Sequence, residues 1–247
     1  MCIRDSTIRK YKPEEIPAEI LDQIIEAGTR ASTTGNMQVY SIIVTTDHTI
    51  KEALSPCHFN QPMVTEAPVV MTFCADFNRF NKWCALRKAV PGYDNFLSFM
   101  TAAIDALLVA QNVCIAAEDF GLGICYLGTT TYMADKIIDI LDLPSGVIPV
   151  TTVTIGYPDE SPGLTDRLPV EAVVHREKYQ DYTGEQIDKL YAVKESLDIY
   201  QQFVIENRKQ SLAQVFTDVR YTKKDNIAFS RSFLNVLKKQ GFMNQNE

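Results

Sequence analysis

The sequence is poor in the groups on which ordinary side-chain catalysis draws. Its three histidines, His48, His58 and His175, lie far from metal-ligand spacing, and its six cysteines include no CxxC pair. Neither a structural zinc nor a disulfide framework is expected, and reduced thiols in a cytoplasm are the default. Cys74, Cys114 and Cys125 sit in apolar runs and read as small core hydrophobes. There is no P-loop, no G-x-S-x-G and no paired His/Cys arrangement, so nucleophilic catalysis has no visible candidate. Gly121-Leu122-Gly123 follows a predicted helix rather than a strand and lacks a third glycine in place. It reads as a helix stop and not as a dinucleotide fingerprint.

Basic charge is scarce too. A net charge of −7 argues against general nucleic-acid binding. No window reaches the roughly 18 uncharged apolar residues of a membrane span. The nearest approach, Met100 to Ala117, is interrupted by Asp105, Gln111 and Asn112 and reads as a buried helix. Met1 to Ser6 has no apolar stretch of the kind a secretory signal carries. Neither repeats nor low-complexity tracts occur.

What remains is an ordinary globular composition, 46% apolar and 22% charged over 247 residues, enough for a sizeable core. Helices are predicted at 17–30, 49–55, 98–120 and 134–141, and strands at 41–46, 69–75, 124–127 and 150–157. Residues 76–97 are aromatic-rich and read as a loop or short helices lining a pocket. Residues 158–169 form a Pro/Gly/Asp-rich loop. From Gly184 the pattern is helical almost to the end, with breaks near 208–211 and 220–224. Strands and helices alternate without a strict βαβ rhythm, which favours a mixed sheet covered by helices.

The most informative segment is Ala31-Ser32-Thr33-Thr34-Gly35-Asn36-Met37-Gln38-Val39-Tyr40. It offers hydroxyls and two carboxamides with almost no charge, which suits the donor-and-acceptor edge of a flat, neutral heteroaromatic ring. A plain polar connection has the same composition. Arg167, in the Pro-flanked loop Leu164-Thr165-Asp166-Arg167-Leu168-Pro169, can grip a phosphate bidentately or stand as a solvated surface cation. Arg9, in Ser6-Thr7-Ile8-Arg9-Lys10-Tyr11, leaves the same choice open. From Asn207 onward eight Lys/Arg face three acids, a local charge of +5 against −12 for the remainder. Such a patch attracts a polyanionic small ligand, or is simply a solvated helix face.

Taken in order, these segments resemble the FMN-dependent nitroreductase family, in particular its oxygen-insensitive NADPH nitroreductase and flavin reductase branch. The resemblance is carried by 6–11, by 31–38, by Phe73-Cys74-Ala75-Asp76-Phe77-Asn78-Arg79 and by Gly121-Leu122-Gly123-Ile124-Cys125-Tyr126-Leu127-Gly128. Arg167-Leu168-Pro169, Val174-His175 and Lys239-Gln240-Gly241-Phe242 continue it to the end of the chain.

The resemblance implies an α+β fold: a three-layer α-β-α sandwich with a mixed, mainly antiparallel central sheet. The chain would form one domain over 1–247. Residues 184–247 would be a helical extension that wraps a partner subunit or covers the active site. It implies a cytoplasmic homodimer, without nucleic-acid or membrane partners, carrying FMN sites at the subunit interface. Ser6, Thr7 and Arg9 would approach the flavin from one side, with Arg9 near N1/O2, where a cation stabilises the charge of the reduced ring. Gln61 would read the pyrimidine edge, the Tyr126-Leu127-Gly128-Thr129 backbone would lie along the ring, and Arg167 would take the ribityl phosphate. Ser32, Thr33, Thr34, Asn36, Met37 and Gln38 would come from the partner subunit. Arg208, with Lys209 and Arg220 behind it, is the candidate for the 2′-phosphate of NADPH.

The implied reaction is two-electron ping-pong hydride transfer from NADPH to a nitroaromatic, a quinone or a flavin, with no catalytic side chain, because the cofactor carries the chemistry. The alternatives are a flavin reductase that supplies reduced FMN to a partner and a non-catalytic flavin-binding protein.

Three positions depart from the family pattern. Ser6 stands where an arginine is usual, Thr165 where a lysine often stands, and Ser32 where a proline is common. Two phosphate cations are thereby lost, each charged hydrogen bond being worth roughly 1.5–3 kcal/mol. FMN is therefore expected to dissociate partly on dilution, and quantitative retention through extensive dialysis would contradict this.

Overall fold

The computed structural model describes residues 7–245, so Ser6 lies outside the described residues. In chain order the elements are α1 (Ala18–Thr29), β1 (Tyr40–Thr45), α2 (His48–Leu54), α3 (Met63–Glu66), β2 (Val69–Asp76), α4 (Asn78–Leu86) and α5 (Phe96–Asp119). They continue with β3 (Gly123–Leu127), α6 (Ala134–Ile140), β4 (Val147–Gly156), α7 (Gly184–Ser196), α8 (Asp198–Glu206), α9 (Leu212–Val215) and α10 (Lys223–Lys239). Two compact units result. One runs to Gly163 and resumes at Phe229; the other is Leu164–Ala228.

The first unit is built on a sheet in the order β1-β2-β4-β3. All three strand pairings are antiparallel; the parallel pairing of a mixed sheet is not present among the described strands. β2 is buried at every residue, as a strand covered on both faces must be. Met71 and Phe73 of β2 and Val153 and Ile155 of β4 face one side, where they pack with Ala106, Val109, Ala110 and Val113 of α5 and Ile24 of α1. On the other side Cys125 and Leu127 of β3 pack with Leu54 of α2, Val64 of α3 and Ile137 of α6. The three-layer α-β-α arrangement follows directly.

Local chemistry sets the ends of these elements. The Asp47 side chain accepts the Ile50 N–H at the start of α2, and Asn95 accepts that of Ser98, which starts α5 at Phe96. α5 has the length and composition of a membrane span, yet half of its most apolar window is buried within the protein. Gly121, at φ +76°, ends the turn that follows α5 and is the helix stop expected of it. Gly123 has a different task. A Cβ there would lie 2.6 Å from Ile8 Cγ1, so only glycine lets the 7–9 segment lie against β3. That segment is tied down by the Ile8 N–H, which donates to the Ile124 carbonyl at 2.9 Å.

In the second unit the Thr183–Gln186 capping box starts α7. The continuous helix expected from Gly184 to Asn207 is interrupted at Leu197, whose extended backbone (ψ 131°) separates α7 from α8. Asp198 then stands in the first turn of the new helix, where the helix dipole favours an acid. A π-helical turn at Phe216–Arg220 leads up to the second expected break, 220–224, within which α10 begins at Lys223.

Candidate active site

The uncharged segment after α1 is held in a shape that few residues adopt. Gly35, Asn36 and Gln38 all have left-handed backbones (φ +54° to +56°). For the two non-glycine residues this costs of order 1 kcal/mol each, strain of a kind that collects at functional sites. Two charged side chains from elsewhere hold the segment. Asp105 of α5 is 1% exposed, and its Oδ1 accepts the Thr34 N–H at 2.9 Å and the Thr34 hydroxyl at 3.3 Å. Arg79 of α4 donates to the carbonyls of Gln38 and of Tyr40, the latter at 3.2 Å. Arg79 is itself set by Asp76, whose Oδ1 accepts its backbone N–H at 3.2 Å. With the backbone held this way, Ser32, Thr34, Asn36 and Gln38 are exposed, and Thr33 and Met37 half-buried.

A second group of residues gathers along β3. Thr7 and Arg9 flank Ile8 beside this strand, and the backbone N–H groups of Arg9 and Lys10 donate to the Glu160 carboxylate. Tyr126 and Gly128 are exposed, Leu127 and Thr129 buried. A Cβ placed on Gly128 would meet nothing within 4 Å, so the main chain there is open to a planar ligand. Gln61 reaches the same place through His58: its Nε2 donates to the His58 carbonyl at 3.0 Å, while His58 Nδ1 lies 2.8 Å from Thr129 Oγ1. Beneath them is a buried hydroxyl layer. Thr130 donates its hydroxyl to the Leu127 carbonyl at 2.9 Å and lies 3.0 Å from Thr152 Oγ1, and the Tyr11 hydroxyl sits 2.8 Å from Thr154 Oγ1.

The two groups do not meet. β1 and β3 are the opposite edges of the sheet, roughly 14 Å apart at ordinary strand spacing. Thr7, Arg9, Gln61 and 126–129 share the β3 edge; 32–38 precedes β1.

The remaining candidates lie in the second unit. Arg167 Nη1 donates to Thr165 Oγ1 at 2.7 Å and to the Asp166 carbonyl at 2.9 Å. Lys209 is paired with Asp218 at 2.9 Å, and the Arg220 guanidinium lies 4.3 Å from the Phe203 ring centroid. Arg208 is exposed, has a left-handed backbone (φ +52°), and its side chain makes no hydrogen bond or ion pair among the described residues.

The donor set fits FMN. In the first unit there are neutral amides, hydroxyls and open main chain of the kind a flavin ring would need; in the second, Arg167 is an exposed guanidinium of the kind a phosphate would need. Among the described residues no group of His, Cys, Asp or Glu could hold a metal ion. Sequence reading missed Asp105, Arg79 and His58 as supports. Asp105 did leave a signal, as the one acid inside the apolar run 100–117. Arg79 and His58 act through backbone carbonyls and a distant threonine, contacts that no local pattern announces.

Comparison with known proteins agrees with this chemistry. The sequence profile of the nitroreductase family matches residues 4–157. A protein of Bacillus subtilis strain 168 named FMN reductase (NADPH) is 35% identical over 181 residues, covering 72% of this chain and 73% of that protein. An NADPH-dependent oxidoreductase of Staphylococcus aureus strain USA300 is 33% identical over 213 residues, 84% of each chain. A crystal structure from Bacteroides fragilis NCTC 9343 superimposes with a TM-score of 0.96 at 59% identity, covering 98% of both chains.

His58 makes the polar support testable. Burial pushes its imidazole down from the ordinary 6.5 to about 4, so it is neutral in the folded protein. As pH falls from about 6.5 to about 4 the unfolded chain takes up a proton that the folded chain refuses, and stability declines by about 3 kcal/mol over that window. Urea unfolding of the wild type and of His58→Gln across this range is expected to show a shallower pH slope in the variant. Identical slopes would mean that His58 ionises normally.

Proposed function

Because the chain belongs to the nitroreductase family and is an NADPH-dependent FMN oxidoreductase, we propose that it reduces nitroaromatic compounds, quinones or free flavin by ping-pong transfer in a cytoplasmic homodimer. The family is generally dimeric with FMN. When bound, FMN would supply the redox chemistry, two-electron transfer from NADPH to the acceptor.

The protein's own residues bind, orient and tune. The observation that carries this reading is the division of one uncharged donor-acceptor set between the two edges of a single sheet. A second copy, bringing its 32–38 segment to the β3 edge of the first, unites the halves. In that site Gln61 and the 126–129 main chain meet the ring, and Thr7 and Arg9 meet its N1/O2 side. Ser32, Thr33, Thr34, Asn36, Met37 and Gln38 of the second copy close over it. Arg167 binds the ribityl phosphate. α5 supplies a surface for the pairing: Leu97, Met100, Ile104 and the adjacent Leu107 and Leu108, three or four residues on from one another along one face, are all at least 39% exposed. Among the described residues five cysteines are free and buried, which agrees with a reducing compartment. Delivery of reduced FMN to a partner is favoured by Thr165 in place of a phosphate cation, which loosens the hold on FMN.

Arg208 takes the 2′-phosphate of NADPH in this reading. What supports it over Lys209 and Arg220 is that the latter two already have partners.

Two measurements check the proposal. The purified protein is expected to show a flavin band that bleaches on anaerobic NADPH and returns on adding a nitroaromatic or a quinone. A colourless protein that neither takes up FMN nor bleaches would overturn it. Arg208→Ala is expected to raise KM for NADPH about tenfold, the worth of one charged hydrogen bond, with KM for NADH little changed. Equal loss with both donors would remove Arg208 from that role.

A further inference from the structure

Arg167 stands on an irregular stretch, 158–169, in which its immediate neighbour is an acid. An Asp166 carboxylate beside a phosphate-binding guanidinium is a hazard in two ways. It competes for the same N–H groups, and its charge repels the phosphate dianion. Both of its oxygens are taken up elsewhere. Lys194, in the last turn of α7, donates from Nζ to Asp166 Oδ2 at 2.7 Å, and Tyr200, in the first turn of α8, donates its hydroxyl to Oδ1. The two are coupled to each other, since Lys194 Nζ also donates to the Tyr200 oxygen at 2.9 Å. The three groups close a ring of hydrogen bonds. They also hold the Asp166 carboxyl below the usual carboxylate range, Lys194 being the largest cause. The Asp166 main chain, fixed by this grip, presents the carbonyl that receives Arg167 Nη1 at 2.9 Å.

The interruption at Leu197 is what makes the arrangement possible. A continuous helix would carry residues 194 and 200 to different faces, whereas the extended Leu197 turns the chain between them.

We propose that Lys194 and Tyr200 are positioning residues for the phosphate end of FMN: they sequester the Asp166 carboxylate and fix its main chain, so that Arg167 is presented to the phosphate. The proposal rests on the assignment of Arg167 to the ribityl phosphate. Thr165, where a lysine is common in the family, gives the clamp its purpose. With the cations usual at 6 and 165 both missing, the one that remains depends more heavily on being pre-set.

The test compares FMN with riboflavin, which shares the ring and ribityl chain but has no phosphate. Dissociation constants for both are measured by flavin fluorescence on the full-length apoprotein and on Lys194→Met, Tyr200→Phe and Arg167→Ala. Thermal melting confirms that each is folded, and Tyr200→Phe removes only a hydroxyl should Lys194→Met fold poorly. Arg167→Ala is expected to bring FMN affinity down to that of riboflavin. The clamp variants are expected to weaken FMN about fivefold and riboflavin less than about twofold. In the double variant Arg167→Ala/Lys194→Met, FMN is expected to bind no more weakly than in Arg167→Ala alone. Equal loss of both ligands in folded clamp variants, or no loss of FMN while Arg167→Ala shows its effect, would overturn the clamp and leave the Arg167 assignment standing. If Arg167→Ala itself leaves the FMN-to-riboflavin ratio unchanged, the phosphate assignment fails and the clamp falls with it.

Discussion

Burial of β2 along all eight residues commits the rest of the first unit. A strand with no solvated face has to be covered twice, so α1 and α5 are committed to one side and α2, α3 and α6 to the other. Both broad faces of the sheet are thereby consumed by packing. A ligand as large as a flavin can then meet this unit only at the sheet's margins, and that is where the polar, strained and open segments are found. The left-handed 32–38 segment precedes one edge strand, and the 126–129 main chain continues the other.

Each margin is supported by charged or polar side chains, of which Asp105 and His58 are buried and Arg79 is exposed. Asp105 holds Thr34, Arg79 holds the carbonyls of Gln38 and Tyr40, and His58 spans Gln61 and Thr129. A buried group of this kind is tolerated when its bonds are made and costly when they are not. Asp105 Oδ2 and His58 Nε2 are buried without a partner among the described residues. The cost is accepted at both margins, as is usual where a shape matters more than stability.

Much of this was legible in the sequence, for identifiable reasons. β2 announced itself by its continuous buried apolar run, β1 by its β-branched composition and α5 by its length and apolar composition, and the Asp47 cap and the Gly121 stop are local chemistry. The uncharged 31–40 segment stood out by composition alone. The break at Leu197 did not, because no glycine or proline marks it. Nor could the role of Asp166 be read from its place in the chain: its partners are 28 and 34 residues away. Long-range polar pairs are invisible to periodicity, and they are the contacts that set the site.

The buried cysteines acquire a meaning beside this chemistry. Burial drives the thiols of Cys57, Cys74 and Cys125 above their ordinary range and that of Cys114 to about 12. Thiolate is the form that quinones alkylate and peroxides oxidise, and at neutral pH these four carry almost none of it. On the proposed turnover of electrophilic acceptors, these four sulfurs serve as inert filler, shielded from the products of that turnover.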